Sequence, residues 1–303
     1  MSVKAAGTVR AKALVALALV CFFWGTTWIA TKEGIQHMPA LQLAGIRQSL
    51  GGIIYVIYFL WKGNRFPKGR EWWPVIVLSL LNFVLTNGLT TLGLKFITAG
   101  LGAILSAIFP LWIVLIGFFR TGALPPVKAV TGLLLGFGGI CVIFYEHLDH
   151  LLNAEFRYGI ILSVIASWTW ALGTLYTKSQ ATRFNPYFSI GLQMVISGII
   201  MSSIASATGN TVPIADIPWQ SWAAIGYLVL FGSVISFIAY LYSLQHLPTA
   251  QASVYAYLNP VVAVISGFMV YGDPLTFALA LGGIIILYGV YLINQVYKKV
   301  PAE

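Results

Sequence analysis

Runs of continuously apolar residues alternate with short polar gaps along the whole chain, and the charged residues gather in the gaps. The runs cover residues 13–31, 40–61, 72–94, 97–119, 127–145, 158–178, 187–207, 220–243, 249–270 and 275–296. Each is close to the ~20 residues a helix needs to cross a hydrocarbon core. None has the strict alternation of a membrane strand, and a helix satisfies its own backbone groups in lipid. The pattern predicts an all-α integral membrane protein with ten transmembrane helices. Arg47 is the one charge deep inside a run. A charge at that depth costs about 2.5–3.5 kcal/mol on insertion scales, so it marks the second span as unusual.

Composition agrees. Charged residues make up 8% of the chain and hydrophobic ones 59%, whereas soluble domains carry about 25% charged residues. The mean hydropathy is +0.87. Ten spans with short connectors use up 303 residues and leave no room for a water-soluble domain of ordinary size. Lys4, Arg10 and Lys12 precede the first run in the manner of a signal peptide. That run continues to Ala30 without a convincing cleavage site, so it reads as a retained span. Cys21 and Cys141 fall inside runs, which argues against a disulfide, and no metal-ligand spacing exists.

The net charge of +9 is a topology signal rather than a nucleic-acid one. With the N-terminus in the cytoplasm, that side holds Lys4, Arg10, Lys12, Lys62, Arg65, Lys68, Arg70, Arg120, Lys128, Lys178, Arg183, Lys298 and Lys299. The outer side holds only Lys32, Lys95 and Arg157. By the positive-inside rule this predicts a multi-pass protein of the inner (plasma) membrane with both termini cytoplasmic.

The chain also repeats itself. At an offset of 146, Trp24, Thr31, Lys32, Gly45, Gly52, Ile53 and Ile54 match Trp170, Thr177, Lys178, Gly191, Gly198, Ile199 and Ile200. At an offset of 150, Leu94, Pro110, Gly117, Phe118, Gly122, Gly132 and Gly139 match Leu244, Pro260, Gly267, Phe268, Gly272, Gly282 and Gly289. Two halves, 1–146 and 157–303, each hold five spans. An odd number inserts the second half upside down, the architecture of many secondary transporters, with a solute site near mid-membrane.

The intramembrane polar groups supply the candidate site. Pro110 and Pro260 fall at matching places in spans 4 and 9, where each removes a helix hydrogen bond; they are candidate hinges. Asn82, Thr86 and Thr90 share one face of span 3, and their partners in span 8 are Gly232, Ser236 and Tyr240. Trp61, Trp72, Trp73, Trp219 and Trp222 lie at span ends and belong to the interfacial belt, as does Trp28. Trp24, Trp112, Trp168 and Trp170 lie deeper. Trp168 and Trp170 point different ways, and the repeat favours Trp170. Tyr255, Tyr257 and Asn259 precede Pro260, and Ser106 is the counterpart of Ala256. Such rings suit an aromatic solute or a cation. Arg47, whose repeat partner is Gln193, has a supporting role here. Two readings of it stand: its head snorkels toward the surface, or it binds a carboxylate. No Asp or Glu lies mid-span, which removes the usual carboxylate proton relay.

The chain resembles the paired EamA-type domains of the drug/metabolite transporter superfamily. The resemblance is carried by Phe23-Trp24-Gly25, Arg47, the stretch from Leu247-Pro248-Thr249-Ala250 to Leu258-Asn259-Pro260, and the turn Tyr271-Gly272-Asp273-Pro274-Leu275-Thr276. The family's turn has Gly-Glu; here Asp273 follows Gly272 and Ala123 follows Gly122. Within the superfamily the chain is most similar to bacterial exporters of aromatic amino acids that also pass methyl viologen. The resemblance implies alternating access to a central cavity between spans 1, 3, 4, 6, 8 and 9, exporting aromatic or neutral amino acids and organic cations without a cofactor. The expected site is Trp24, Asn82, Thr86, Ser106, Trp170, Ser236, Tyr240, Tyr257 and Asn259. A channel-like facilitator or a carrier for another metabolite class is the alternative. A membrane enzyme would need a nucleophile with a base, or a metal cluster, which the sequence does not supply.

Overall fold

The computed structural model describes residues 3–121, 125–145, 153–180, 185–272 and 276–297. Gly122 and Ala123, the turn at Asp273-Pro274-Leu275, Arg183, and the tail with Lys298 and Lys299 lie outside the described residues. Every regular element among the described residues is helical. They are α1 (Val3–Gly34), α2 (Ala40–Trp61), α3 (Trp72–Leu78), α4 (Thr86–Gly93), α5 (Ala99–Ser106), α6 (Phe109–Thr121), α7 (Val127–Phe144), α8 (Ala154–Gln180), α9 (Pro186–Ala207), α10 (Trp219–Tyr227), α11 (Ser236–His246), α12 (Thr249–Ala252), α13 (Tyr255–Tyr271) and α14 (Phe277–Tyr297). Among the described residues, six stretches are long and apolar enough to cross a membrane: Thr8–Gly34, Ala40–Trp61, Gly69–Gly93, Ala154–Gln180, Pro186–Ala207 and Trp219–His246. Shorter apolar helices pack with them. Large side chains such as Phe22, Ile57, Phe119 and Met269 face outward, as a lipid solvent permits.

Sequence chemistry sets the boundaries. Asn185 accepts hydrogen bonds from the backbone N–H groups of Tyr187 and Phe188 (3.0 and 3.2 Å), and Pro186 follows at the first helical position, where its missing N–H costs nothing. Thr98 caps α5 through Leu101 N–H.

Spans 4 and 9 differ from the uninterrupted runs expected for them. The first breaks at Ala107–Ile108, the second at Ser253–Val254. Pro110 is therefore the second residue of α6, in the first turn where proline is tolerated, and not a mid-helix kink. Pro260 does lie inside α13. The breaks are also displaced with respect to the repeat, by the alignment that pairs Pro110 with Pro260.

Two widened turns do follow the repeat. A π-helical segment, Ser79–Leu85, joins α3 to α4, and another, Leu228–Ile235, joins α10 to α11. The Thr86 hydroxyl donates to the Leu81 carbonyl (2.7 Å) and the Ser236 hydroxyl to the Phe231 carbonyl (2.6 Å), each five residues back. The backbone N–H of Thr86 and of Ser236 reaches the same carbonyl, so each hydroxyl adds a second donor at the widened turn. Thr86→Val and Ser236→Ala should each cost about 1 kcal/mol, read as a lower thermal midpoint in detergent. Unchanged midpoints in both would deny the hydroxyls this role.

Glycines set how the helices meet. On α2 and α9, a Cβ at Gly52 would lie 2.7 Å from the Gly191 carbonyl oxygen, and one at Gly198 would lie 2.9 Å from that of Gly45. On α7 and α14, a Cβ at Gly132 would lie 2.6 Å from the Gly289 oxygen, and one at Gly139 would lie 2.6 Å from the Gly282 oxygen. Small residues let helix backbones approach closely in membranes. Each glycine thus meets the repeat partner of the other glycine on its own helix. The contacts run in opposite sequence directions, so both pairs are antiparallel.

Candidate functional site

Helices α1 and α8 carry the repeat-equivalent tryptophans, and the fold brings them together. The Trp24 and Trp170 rings lie edge to face, 5.7 Å apart. Phe237, Tyr240 and Tyr255 surround Trp24 at 5.1, 5.2 and 5.0 Å, and Phe109 stacks on Tyr255 at 5.7 Å. Trp24 Nε1 donates to the Gly232 carbonyl (3.0 Å) and Trp170 Nε1 to the Tyr255 hydroxyl. The Tyr240 and Thr174 hydroxyls bond at 2.8 Å. The polar edges of the rings are thereby satisfied and their orientations held, with each ring pair adding about 0.5–1.5 kcal/mol.

This ring cluster forms part of the wall of a cavity of about 130 Å³. Helix α1 contributes Trp24, Thr27, Trp28 and Thr31, α2 contributes Arg47, and α4 contributes Thr86, Asn87, Thr90 and Thr91. Across from them stand Gly102 and Ser106 of α5, Phe109 of α6, Ser163, Ser167 and Trp170 of α8, Phe237 of α11, and Tyr255, Ala256 and Asn259 of α13. Most wall hydroxyls are already donors: Thr27 to Trp24 (2.7 Å), Thr31 to Thr27 (2.7 Å), Thr91 to Asn87 (2.8 Å) and Ser106 to Ala103 (2.6 Å). Their oxygens keep acceptor capacity. Pro260 has no N–H, so the carbonyl of Ala256, four residues before it in α13, lacks the usual helical donor, and the carbonyl of Ser106, at the C-terminal end of α5, is one of the helix-end carbonyls with no donor inside its own helix. Both residues belong to the wall. In the amide orientation that matches donor to acceptor, the Asn259 nitrogen donates to the carbonyls of Cys21 and Tyr255 at 3.0 Å each, tying α13 to α1.

Arg47 is 7% exposed. Its Nε donates to Ser233 Oγ at 3.2 Å. A second cavity of about 290 Å³ is lined by Arg70, Glu71, Pro74, Val75, Leu78, Thr177, Gln180, Pro186, Ser189, Ile190 and Gln193. Two repeat pairs divide between the cavities: Thr31 and Arg47 line the aromatic one, Thr177 and Gln193 the other.

Of the expected site residues, Trp24, Thr86, Ser106, Trp170, Asn259 and Arg47 meet at the aromatic cavity. Tyr240 belongs to the ring cluster behind it. Asn82 instead packs on Gly173 and donates to Thr177 Oγ1 at 3.4 Å. Ser236 is fully buried, its hydroxyl used by the widened turn. Tyr257 points to the opposite face of α13 from Tyr255 and Asn259, against Gly136 of α7 in a core with Leu133 and Ile286. Two residues' separation on a helix turns a side chain by roughly 200°, which takes Tyr257 away from the cavity. Gln193 lines the second cavity and donates to Ser189 (2.9 Å).

Trp28, expected in the interfacial belt, is on the cavity wall over Gly102, where a Cβ would lie 2.7 Å from its ring. The same rotation separates Trp168, 45% exposed, from Trp170. The wall residues of α1 that were missed, Thr27, Trp28 and Thr31, carried a signal: with the expected Trp24 they follow i, i+3, i+4, i+7 spacing, one helix face. Ser163, Ser167 and Trp170 repeat the pattern on α8.

Comparisons with known proteins add the family. The model of the EamA-like transporter family matches residues 11–145 and 157–295. The chain is 28% identical to the uncharacterized transporter YvbV of Bacillus subtilis, over 97% of this chain and 95% of that protein. It is 30% identical to the uncharacterized inner membrane transporter YedA of Escherichia coli K12, over 95% and 92%. A solved crystal structure superposes with a TM-score of 0.78 at 18% identity, covering 96% of this chain and 99% of that one; it speaks for the fold alone.

Proposed function

This chain belongs to the EamA-like transporter family, and we propose that it is a carrier with ten transmembrane helices that exports small organic solutes by alternating access. It is a multi-pass membrane transporter; substrate and mechanism are our reading. Aromatic and neutral amino acids are the leading class, and organic cations the second. The two units are 1–146 and 157–303, inserted in opposite senses, with both termini cytoplasmic in the inner membrane.

The observation that carries this reading is the meeting of Trp24 and Trp170 at one wall of a buried cavity. A duplicated unit brings equivalent residues into contact only near the axis that relates its copies, which is where a shared solute site belongs. The reciprocal glycine contacts support inversion. Helices related by a twofold axis run antiparallel when that axis is perpendicular to them, hence in the membrane plane. The division of Thr31 and Arg47 from Thr177 and Gln193 between two cavities supports one pathway opened at either end in turn. Ring faces suit an aromatic side chain, and the acceptors at Ser106, Ala256 and the threonine oxygens suit an ammonium group.

Uptake of labelled phenylalanine and tryptophan into liposomes carrying the pure protein tests this. The expected result is saturable uptake that accelerates when unlabelled solute is trapped inside. A rate equal to that of empty liposomes, across several amino acids and methyl viologen, overturns it. Uptake without saturation or trans-stimulation would identify an open pore.

A further inference from the structure

Among the described residues, Arg47 is the one charged side chain on the wall of the aromatic cavity. A guanidinium carries five N–H donors in a planar fork. One is used, from Nε to Ser233 Oγ at 3.2 Å. Among the described residues an ion pair joins Arg65 to Glu71, and no carboxylate pairs with Arg47. The residue lines the cavity, and neither terminal nitrogen is among the fully buried side-chain atoms that lack a partner. The fork has also been given room. A Cβ at Gly232 would lie 2.8 Å from Arg47 Nη2 and 2.8 Å from Thr27 Cγ2, so glycine there leaves space for the guanidinium. The Gly232 carbonyl in turn holds Trp24 Nε1, which puts the fork beside the ring cluster.

An unpaired charge held this deep is costly, and the described residues supply no acid to neutralise it. A solute carboxylate matches two parallel N–H donors of a guanidinium and neutralises it. A cation entering the same cavity meets only repulsion from it.

We propose that Arg47 anchors the carboxylate of the solute, so that the cavity accepts aromatic carboxylates and zwitterionic amino acids and rejects organic cations that lack a carboxylate. This rests on the transport reading and narrows it.

Calorimetric titration of the full purified chain in detergent tests it, with L-phenylalanine, 3-phenylpropionate and 2-phenylethylamine as probes. The two carboxylates should bind at least tenfold more tightly than the amine. Arg47→Gln should erase that preference while leaving the thermal midpoint equal or higher, because an unpaired buried charge is gone. Arg47→Lys keeps the charge without the fork and should retain part of the preference. Wild-type affinity for the carboxylates in Arg47→Gln overturns the proposal. So does a midpoint lowered by several degrees with the preference intact, which is the mark of a purely structural arginine. Equal binding of 2-phenylethylamine to the wild type, with counterflow in liposomes still present, removes the anchor and leaves the carrier standing. Absence of both binding and counterflow removes both.

Discussion

Gly52→Val is expected to abolish recovery of folded protein from membranes. A Cβ at Gly52 would stand 2.6 Å from the Val195 backbone nitrogen and 2.7 Å from the Gly191 carbonyl oxygen. Backbone atoms cannot swing aside as a flexible side chain does, so α2 and α9 must separate along their length. Ordinary overpacking costs about 1–3 kcal/mol; here an entire helix pair moves, and domains hold only about 5–15 kcal/mol of net stability. Gly52→Ala should give a milder defect of the same kind. Gly138→Ala is the contrast, since a Cβ there meets nothing within 4 Å. It should hold its midpoint or gain up to about 1 kcal/mol from helix propensity. Size-exclusion profiles and thermal midpoints in detergent check all three. A Gly52→Val protein that elutes and melts like the wild type would mean that α2 and α9 are not in contact as described.

Trp24→Ala should remove transport and weaken the fold together. Trp24 contacts the rings of Trp170, Phe237, Tyr240 and Tyr255 and donates to Gly232. Deleting a large packed aromatic costs about 3–5 kcal/mol, with the half-buried position of Trp24 placing it toward the lower end. The remaining rings lose the partner that orients them, and liposome uptake should fall to background. Trp24→Phe keeps a ring but orphans the Gly232 carbonyl, a loss of about 1–3 kcal/mol, and should fold with reduced transport. Trp168→Ala, on the outward face of α8, should transport as the wild type does. If Trp168→Ala and Trp24→Ala lower uptake equally, the ring cluster has no special part in the solute path.

The long helices were legible because lipid forces continuous apolar runs, and the meeting of Trp24 with Trp170 was legible because the repeat aligns them. The glycine interfaces were visible as repeated positions, although which glycine faces which required the packing. Other features depended on helix rotation and breaks that periodicity does not carry. Which face of α13 meets the cavity follows from the packing, and Tyr257 lies roughly 200° around that helix from Tyr255 and Asn259. Ser236 is consumed by a π turn that regular 3.6-residue spacing does not reveal. Depth along a span suggested a surface belt for Trp28, but depth does not say which way a ring points. Arg47 stood out as a charge inside a run, yet the hydroxyl it donates to, that of Ser233, lies 186 residues away.

The most direct test of paired cavities opened in turn is solute-dependent cysteine accessibility at two repeat-equivalent positions. Thr31→Cys and Thr177→Cys would be made separately, with Cys21 and Cys141 replaced, and each labelled by a membrane-impermeant maleimide from either side. Alternating access predicts that a saturating transported solute shifts the two labelling rates in opposite directions, with Thr31→Cys reached from outside and Thr177→Cys from the cytoplasm. Rates that rise and fall together, or labelling of both positions from the same side, would contradict an inverted pair of units around one solute path.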